Sequence, residues 1–277
     1  MKDLKVGLQL YSIREDMEQD MDAALKAVKE MGYDYVEFAG YYGKSAAEVL
    51  ALLEKHDLKC ISVHQGYNLF LEDQKANVEF LKTIGAKYCA IPWMGVENHK
   101  GHEGFDKAMK EIAQVGALLC DNGIQLMYHN HDFEFEKYEG KHLLDWLYET
   151  IPSELLMPQI DTCWVHYAGC DPCEYLKKYS GKIKVVHLKD FVCKNLAQSP
   201  VYSLIDDSGK ESKGATQEDN GFEFRPVGQG IQDFPAILKA SAAAGAEYVI
   251  VEQDLATTAT PLESAKQSRE YLKSLGI

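Results

Sequence analysis

Apolar residues in this chain fall into two alternating rhythms. Short runs rich in Val, Ile, Leu and Tyr occur at 5–10 (KVGLQL), 33–38 (YDYVEF), 59–64 (KCISVH), 87–93 (KYCAIPW), 124–129 (IQLMYH), 155–161 (LLMPQID), 183–189 (IKVVHLK) and 248–252 (YVIVE). Bounded by glycine and polar clusters, these runs predict buried strands. Between them, apolar residues recur at helical spacing over 19–31, 45–56, 72–84, 105–121, 142–150, 172–179, 233–244 and 261–275. Glycines 32, 85 and 245 follow three of these helices, and Ser45 with Glu48 forms a capping box at the start of another. Strand and helix alternating with short connections imply a parallel sheet, and eight units are the number that closes on itself. The fold class predicted is therefore α/β, a (β/α)8 barrel over 1–277 as a single domain. An open doubly wound sheet announces a glycine-rich phosphate turn after its first strand, and LYSIR at 10–14 has no glycine. The polar segment 190–231 is too long for a plain connection and predicts a lid over the site.

Charge and cysteine usage narrow the function. The net charge of −14 opposes extended contact with phosphate backbones, so no nucleic-acid partner is expected. No apolar run is long enough for a membrane span, and MKDLKVGLQL is unlike a signal peptide. Seven dispersed cysteines fit reduced thiols, and the chain reads as cytoplasmic. Cys170 and Cys173 form one isolated CxxC whose Pro172 suits a helix start better than a metal or redox role.

The ends of the strands carry the chemistry. In a barrel of this kind the site forms at the C-terminal ends of the strands. Those ends offer Gln9, Glu37, His64, Trp93, His129 with His131, Asp161, His187 and Glu252. Strand side chains alternate faces, so Gln125, Met127, His129 and His131 are expected on one side. Two imidazoles and two carboxylates at 129, 161, 187 and 252 suit one divalent ion (Mn, Zn, Co or Mg) with room for substrate oxygens. Gln9, Arg14, Glu37, Trp93, Trp164 and Lys189 are candidate substrate contacts, while Glu134 and Glu136 read as outer-sphere or solvated acids.

GLQLYSIRED near the start, HNHDFEF on the fifth strand, IDTCWV and AGCDP after the sixth, VHLKD, RPVGQG and VEQD together resemble the xylose-isomerase-like TIM barrel family. That family includes sugar-phosphate isomerases and epimerases, inosose dehydratases and the endonuclease IV branch. The resemblance implies one divalent ion held by Glu, Asp, His and Glu on strands five to eight. It assigns Asp161, His187 and Glu252 directly, and His129 stands where the glutamate of strand five is usual. Members often pair through helical faces or lids, so a homo-oligomer is compatible with the resemblance.

The reading that follows is a metal-dependent isomerase or epimerase acting on a keto-sugar or cyclitol. An α-proton is removed and the enolate is stabilised by the metal, with His131, Glu252 or His64 as the base. The replacement of a glutamate by His129 weakens a symmetric two-glutamate epimerisation. It strengthens a lyase alternative of the inosose-dehydratase or keto-glycoside type. A non-catalytic sugar-binding barrel is the third reading.

Overall fold

The computed structural model describes residues 3–196 and 220–277. Eight parallel strands close into a barrel: β1 (Lys5–Gln9), β2 (Tyr35–Phe38), β3 (Lys59–His64), β4 (Tyr88–Ile91), β5 (Gln125–His129), β6 (Met157–Asp161), β7 (Val185–Leu188) and β8 (Tyr248–Val251). Each pairs with its sequence neighbours, and β1 closes the ring on β8 through Lys5 opposite Tyr248. The single-domain barrel expected from the pattern is the fold observed.

Alternation divides the side chains into two compartments. Leu8, Val36, Val63, Ile91, Leu126, Ile160, Val186 and Val249 point outward and join the main core beneath the surrounding helices. Ile61, Ala90, Met127, Ile250 and Tyr248 fill the barrel interior. Gly7 also belongs inside: a Cβ there would lie 2.6 Å from Ile250 Cδ1, so the glycine makes room for the isoleucine. A bulge where Val36–Glu37 faces Cys60–Ser62 shifts the register just below the site.

The helices depart from expectation where short acidic residues cap them. The first begins earlier, at Arg14, after a 3-10 turn over Leu10–Ile13. It is interrupted at Asp20, whose carboxylate accepts from the Ala23 amide and restarts it. The helix expected over 72–84 is two, Tyr67–Glu72 and Gln74–Thr83, divided at Asp73, which caps the second. Pro92 lacks an amide hydrogen and ends β4 at Ile91, so Trp93 lies beyond the strand.

The expected lid over 190–231 falls largely on residues 197–219, outside the described residues. Its flanks form an antiparallel ribbon of Asp190–Val192 with Glu223–Arg225. Phe191, Phe222 and Phe224 pack with Trp164 and Tyr167 beside the barrel mouth. No helix among the described residues is long and apolar enough to cross a membrane.

Candidate metal centre

The last inward-facing residues of the strands meet on one buried floor. Asp161 pairs in register with His187, His129 with Gln159, and Gln9 with Glu37. Ligand atoms of His129, Asp161, His187 and Glu252 all lie within 4.8 Å of one another, and all four residues are buried. His129 Nε2 is 3.7 Å from Asp161 Oδ2 and 3.9 Å from Glu252 Oε2, while His187 Nδ1 is 2.9 Å from Glu252 Oε2.

Asp161 divides its two oxygens. Oδ1 accepts from the amides of Cys163 and Trp164 and caps the helix Thr162–Tyr167, which the sequence pattern missed. Oδ2 is buried, with the Lys189 ammonium 3.2 Å away and His129 Nε2 3.7 Å away. A buried carboxylate oxygen grouped with two imidazoles and a second carboxylate fits a divalent cation, because nitrogen and oxygen donors of this mixture are its usual ligands.

Lys189 belongs to the same cluster. Its fully buried ammonium lies 3.0 Å from Glu252 Oε2, 3.2 Å from Asp161 Oδ2 and 3.1 Å from Asp254 Oδ2. Burial opposes its charge, but Asp254, Glu252 and Asp161 outweigh that cost and hold the ammonium protonated. Three carboxyl groups crowd this one ammonium, so the floor is rich in oxygen donors. Burial likewise opposes a charge on His187, yet Glu37 and Glu252 raise it to about 10, which reports how strongly this floor demands positive charge. Glu252 is held well below the usual carboxylate range: burial pushes it up, and Lys189 and His187 overcome this. Burial raises Asp254 to about 6.

A cavity of about 190 Å³ opens over the cluster, lined by Tyr11, His64, Trp93, His131, Lys189 and Asp254 together with His129 and Glu252. That volume suits a small polar ring and is below the range of drug-sized pockets. A larger hollow of about 640 Å³ lies at the opposite end of the barrel, at Lys5, Lys59 and Lys87 where strands begin. The charged residues around the larger hollow are exposed, whereas His131, Lys189 and Glu252 at the smaller one are buried and shifted from their ordinary pKa values.

The candidate substrate contacts divide into lining and support. Trp93, at the rim and 41% exposed, and Lys189 line the cavity, as do His64 and His131. Gln9 and Glu37 lie beneath it, both fully buried, and Gln9 Nε2 donates to Glu37 Oε1 at 2.8 Å. Arg14 donates to the Tyr11 and Asp254 carbonyls and stacks over the Tyr11 ring, bracing the mouth from behind. Trp164 is wholly buried under the Lys189 ammonium, 5.3 Å from its ring centre. Glu136 is exposed, whereas Glu134 is buried, accepting from the Tyr128 hydroxyl and the His131 amide, and burial pushes it up to about 8.

Asp254, Gln159 and Tyr11 escaped the sequence reading. Gln159 stands two residues before Asp161 and hence on the same strand face, a signal that was available. Asp254 follows Glu252 by two, but it lies past the end of β8, where alternation no longer predicts direction.

Residues 25–275 match the sequence model of the xylose isomerase-like TIM barrel family. An inosose dehydratase from Clostridium perfringens is 28% identical, over 92% of this chain and 90% of its own length. Among solved structures, a sugar phosphate isomerase/epimerase from Parabacteroides distasonis superposes with a TM-score of 0.77 at 23% identity, covering 98% of both chains. The IolI protein with a binding zinc atom superposes with a TM-score of 0.69 at 17% identity, again over 98% of both. At these identities the structural likenesses bear on the fold alone.

Proposed function

The chain belongs to the xylose isomerase-like TIM barrel family, and from that premise we propose that it is a divalent-metal-dependent enzyme removing the α-proton of a keto-sugar or cyclitol. The observation that carries this reading is the convergence of His129, Asp161, His187 and Glu252 below a cavity that also presents His131 and Lys189. A cation held by those four residues supplies Lewis-acid charge that favours ionisation beside a carbonyl.

The remaining work falls to side chains on the cavity wall. Burial and the Lys189 ammonium keep His131 neutral, the form in which an imidazole acts as a base, while the same two influences oppose the charge it gains on taking the proton. As the C–H bond breaks, its electron pair moves toward the carbonyl oxygen. Lys189 offers a fixed positive charge near that oxygen's developing negative charge. Trp93 presents a flat apolar face at the rim, suited to the C–H face of a ring.

Two outcomes follow from the enolate. Isomerisation or epimerisation returns a proton to carbon. Elimination expels a β-hydroxyl, and the proton taken by His131 is available to carry it off as water. Two observations favour elimination: strand five contributes His129 rather than a second carboxylate base, and inosose dehydratases are among the relatives.

The test is incubation of the manganese-loaded protein with inososes and keto-sugars in deuterium oxide. Elimination predicts an unsaturated product one water lighter, whereas isomerisation predicts recovered sugar labelled at the α-carbon. Neither deuterium uptake nor product from any of these would contradict the enolising reading.

A further inference from the structure

Below the metal-binding floor lies a second polar layer that the chemistry above does not use. Glu37 is fully buried at its centre and out of reach of the cavity. Its Oε1 accepts from Gln9 Nε2 at 2.8 Å and His187 Nε2 at 2.7 Å, and its Oε2 accepts from Gln159 Nε2 at 2.7 Å. Gln159 in turn directs its carbonyl oxygen at His129 Nδ1, 3.2 Å away, and His64 Nε2, 2.9 Å away.

We infer that Glu37 and Gln159 are positioning residues that determine which ring nitrogen His129 and His187 present to the metal-binding cluster. The inference rests on the metal-dependent reading of the site and adds the device that orients its ligands.

An ionised carboxylate only accepts, so each nitrogen facing Glu37 must carry a hydrogen. His187 is therefore protonated on Nε2 there; Nδ1, which faces the Glu252 carboxylate at 2.9 Å and by the same rule carries a hydrogen of its own, is the nitrogen turned toward the cluster. Gln159 has no freedom either. With its NH2 group bound by Glu37, its carbonyl must face the histidines, and that carbonyl requires a hydrogen on His129 Nδ1. The nitrogen left to His129 is Nε2, the one lying near Asp161 and Glu252. One buried acid, relayed through one amide, thus sets the proton positions on imidazoles from two strands. Partners of this kind on the far nitrogen of a ligating histidine typically govern metal affinity by about 10–100-fold.

The same logic chooses between two ligand sets. His64, His129 and His187 also bring nitrogens within 4.8 Å of one another. The nitrogens that face Glu37 and Gln159 are committed as donors, however, and would have to surrender those hydrogens to ligate. The four-residue set leaves the hydrogens on Glu37 and Gln159 in place and gives up only the one that His187 Nδ1 directs at Glu252.

The first test uses wild-type protein labelled with 15N-histidine and loaded with zinc. Long-range proton–nitrogen spectra should show His129 protonated at Nδ1 with the zinc-induced shift on Nε2, and His187 with the opposite pattern. The reverse pattern in either ring overturns the inference while leaving a metal site in place. No zinc-induced shift on any histidine overturns the metal-dependent reading and the inference with it. The second test is zinc competition against a chromophoric chelator. Glu37→Gln should weaken zinc about 10–100-fold, because the amide introduced at that position must turn its NH2 group toward some of its neighbours and reverse Gln159. Glu37→Asp should recover part of the loss. Wild-type zinc affinity in a folded Glu37→Gln protein would overturn the proposal, and if that variant does not fold, the wild-type spectra decide.

Discussion

His131 reaches the cavity because the chain turns immediately after β5. The strand ends at His129, so the shared direction expected from alternation continues only through that turn. Asn130 ties it to β6: its oxygen accepts from the Asp161 amide, and its NH2 donates to the Asp161 carbonyl. Glu134 holds the His131 amide at 2.7 Å. The ring stacks nearly parallel on Phe133, which stacks in turn on His99, so the imidazole is clamped from one face. Replacing it with asparagine should lower α-proton exchange by about 10²–10⁴-fold, the usual contribution of a positioned base. Zinc affinity should stay at the wild-type level, since His131 is not among the four ligands. Unchanged exchange in His131→Asn, measured by deuterium uptake, would move the base to Asp254 or His64. At this scale the sequence was informative about identity and poor about direction. HNH marked two histidines as chemical, but Glu134 and Glu136 look alike in FEFE, and only packing buries the first and exposes the second.

Elements were legible wherever burial followed one period. The eight strands and the long amphipathic helix Phe105–Asp121 emerge from alternation or helical spacing alone. The helix Thr162–Tyr167 did not, because TCWVHY is rich in residues that favour strands, and its start depends on Asp161 as cap. The return segment RPVGQG is held by a device that the sequence shows only as two glycines. Asp190 accepts from the amides of Phe191, Gly228, Gly230 and Gln232. Gly230 is required by this closeness, since a Cβ there would lie 2.2 Å from Asp190 Oδ1 and 2.3 Å from the Phe191 carbonyl. Asp190→Ala strands several buried amide hydrogens and should cost about 3–5 kcal/mol in urea unfolding. A loss below about 1 kcal/mol would mean that the turn is held by its other contacts.

For the whole molecule, the barrel turns residues scattered over more than a hundred positions into neighbours. The strand ends could be read in order because nearly every apolar run closes with a polar residue. Their depth could not, which is why Gln9 and Glu37 were expected at the substrate and stand one layer below it. Composition carries no information about which carboxylates meet. The measurement that bears most directly on the account is anomalous diffraction from crystals soaked in zinc. The account predicts one strong peak within about 2.0–2.2 Å of His129 Nε2, His187 Nδ1 and carboxylate oxygens of Asp161 and Glu252. A peak held by His64, His129 and His187 instead, or no peak on this floor at saturating zinc, would contradict it.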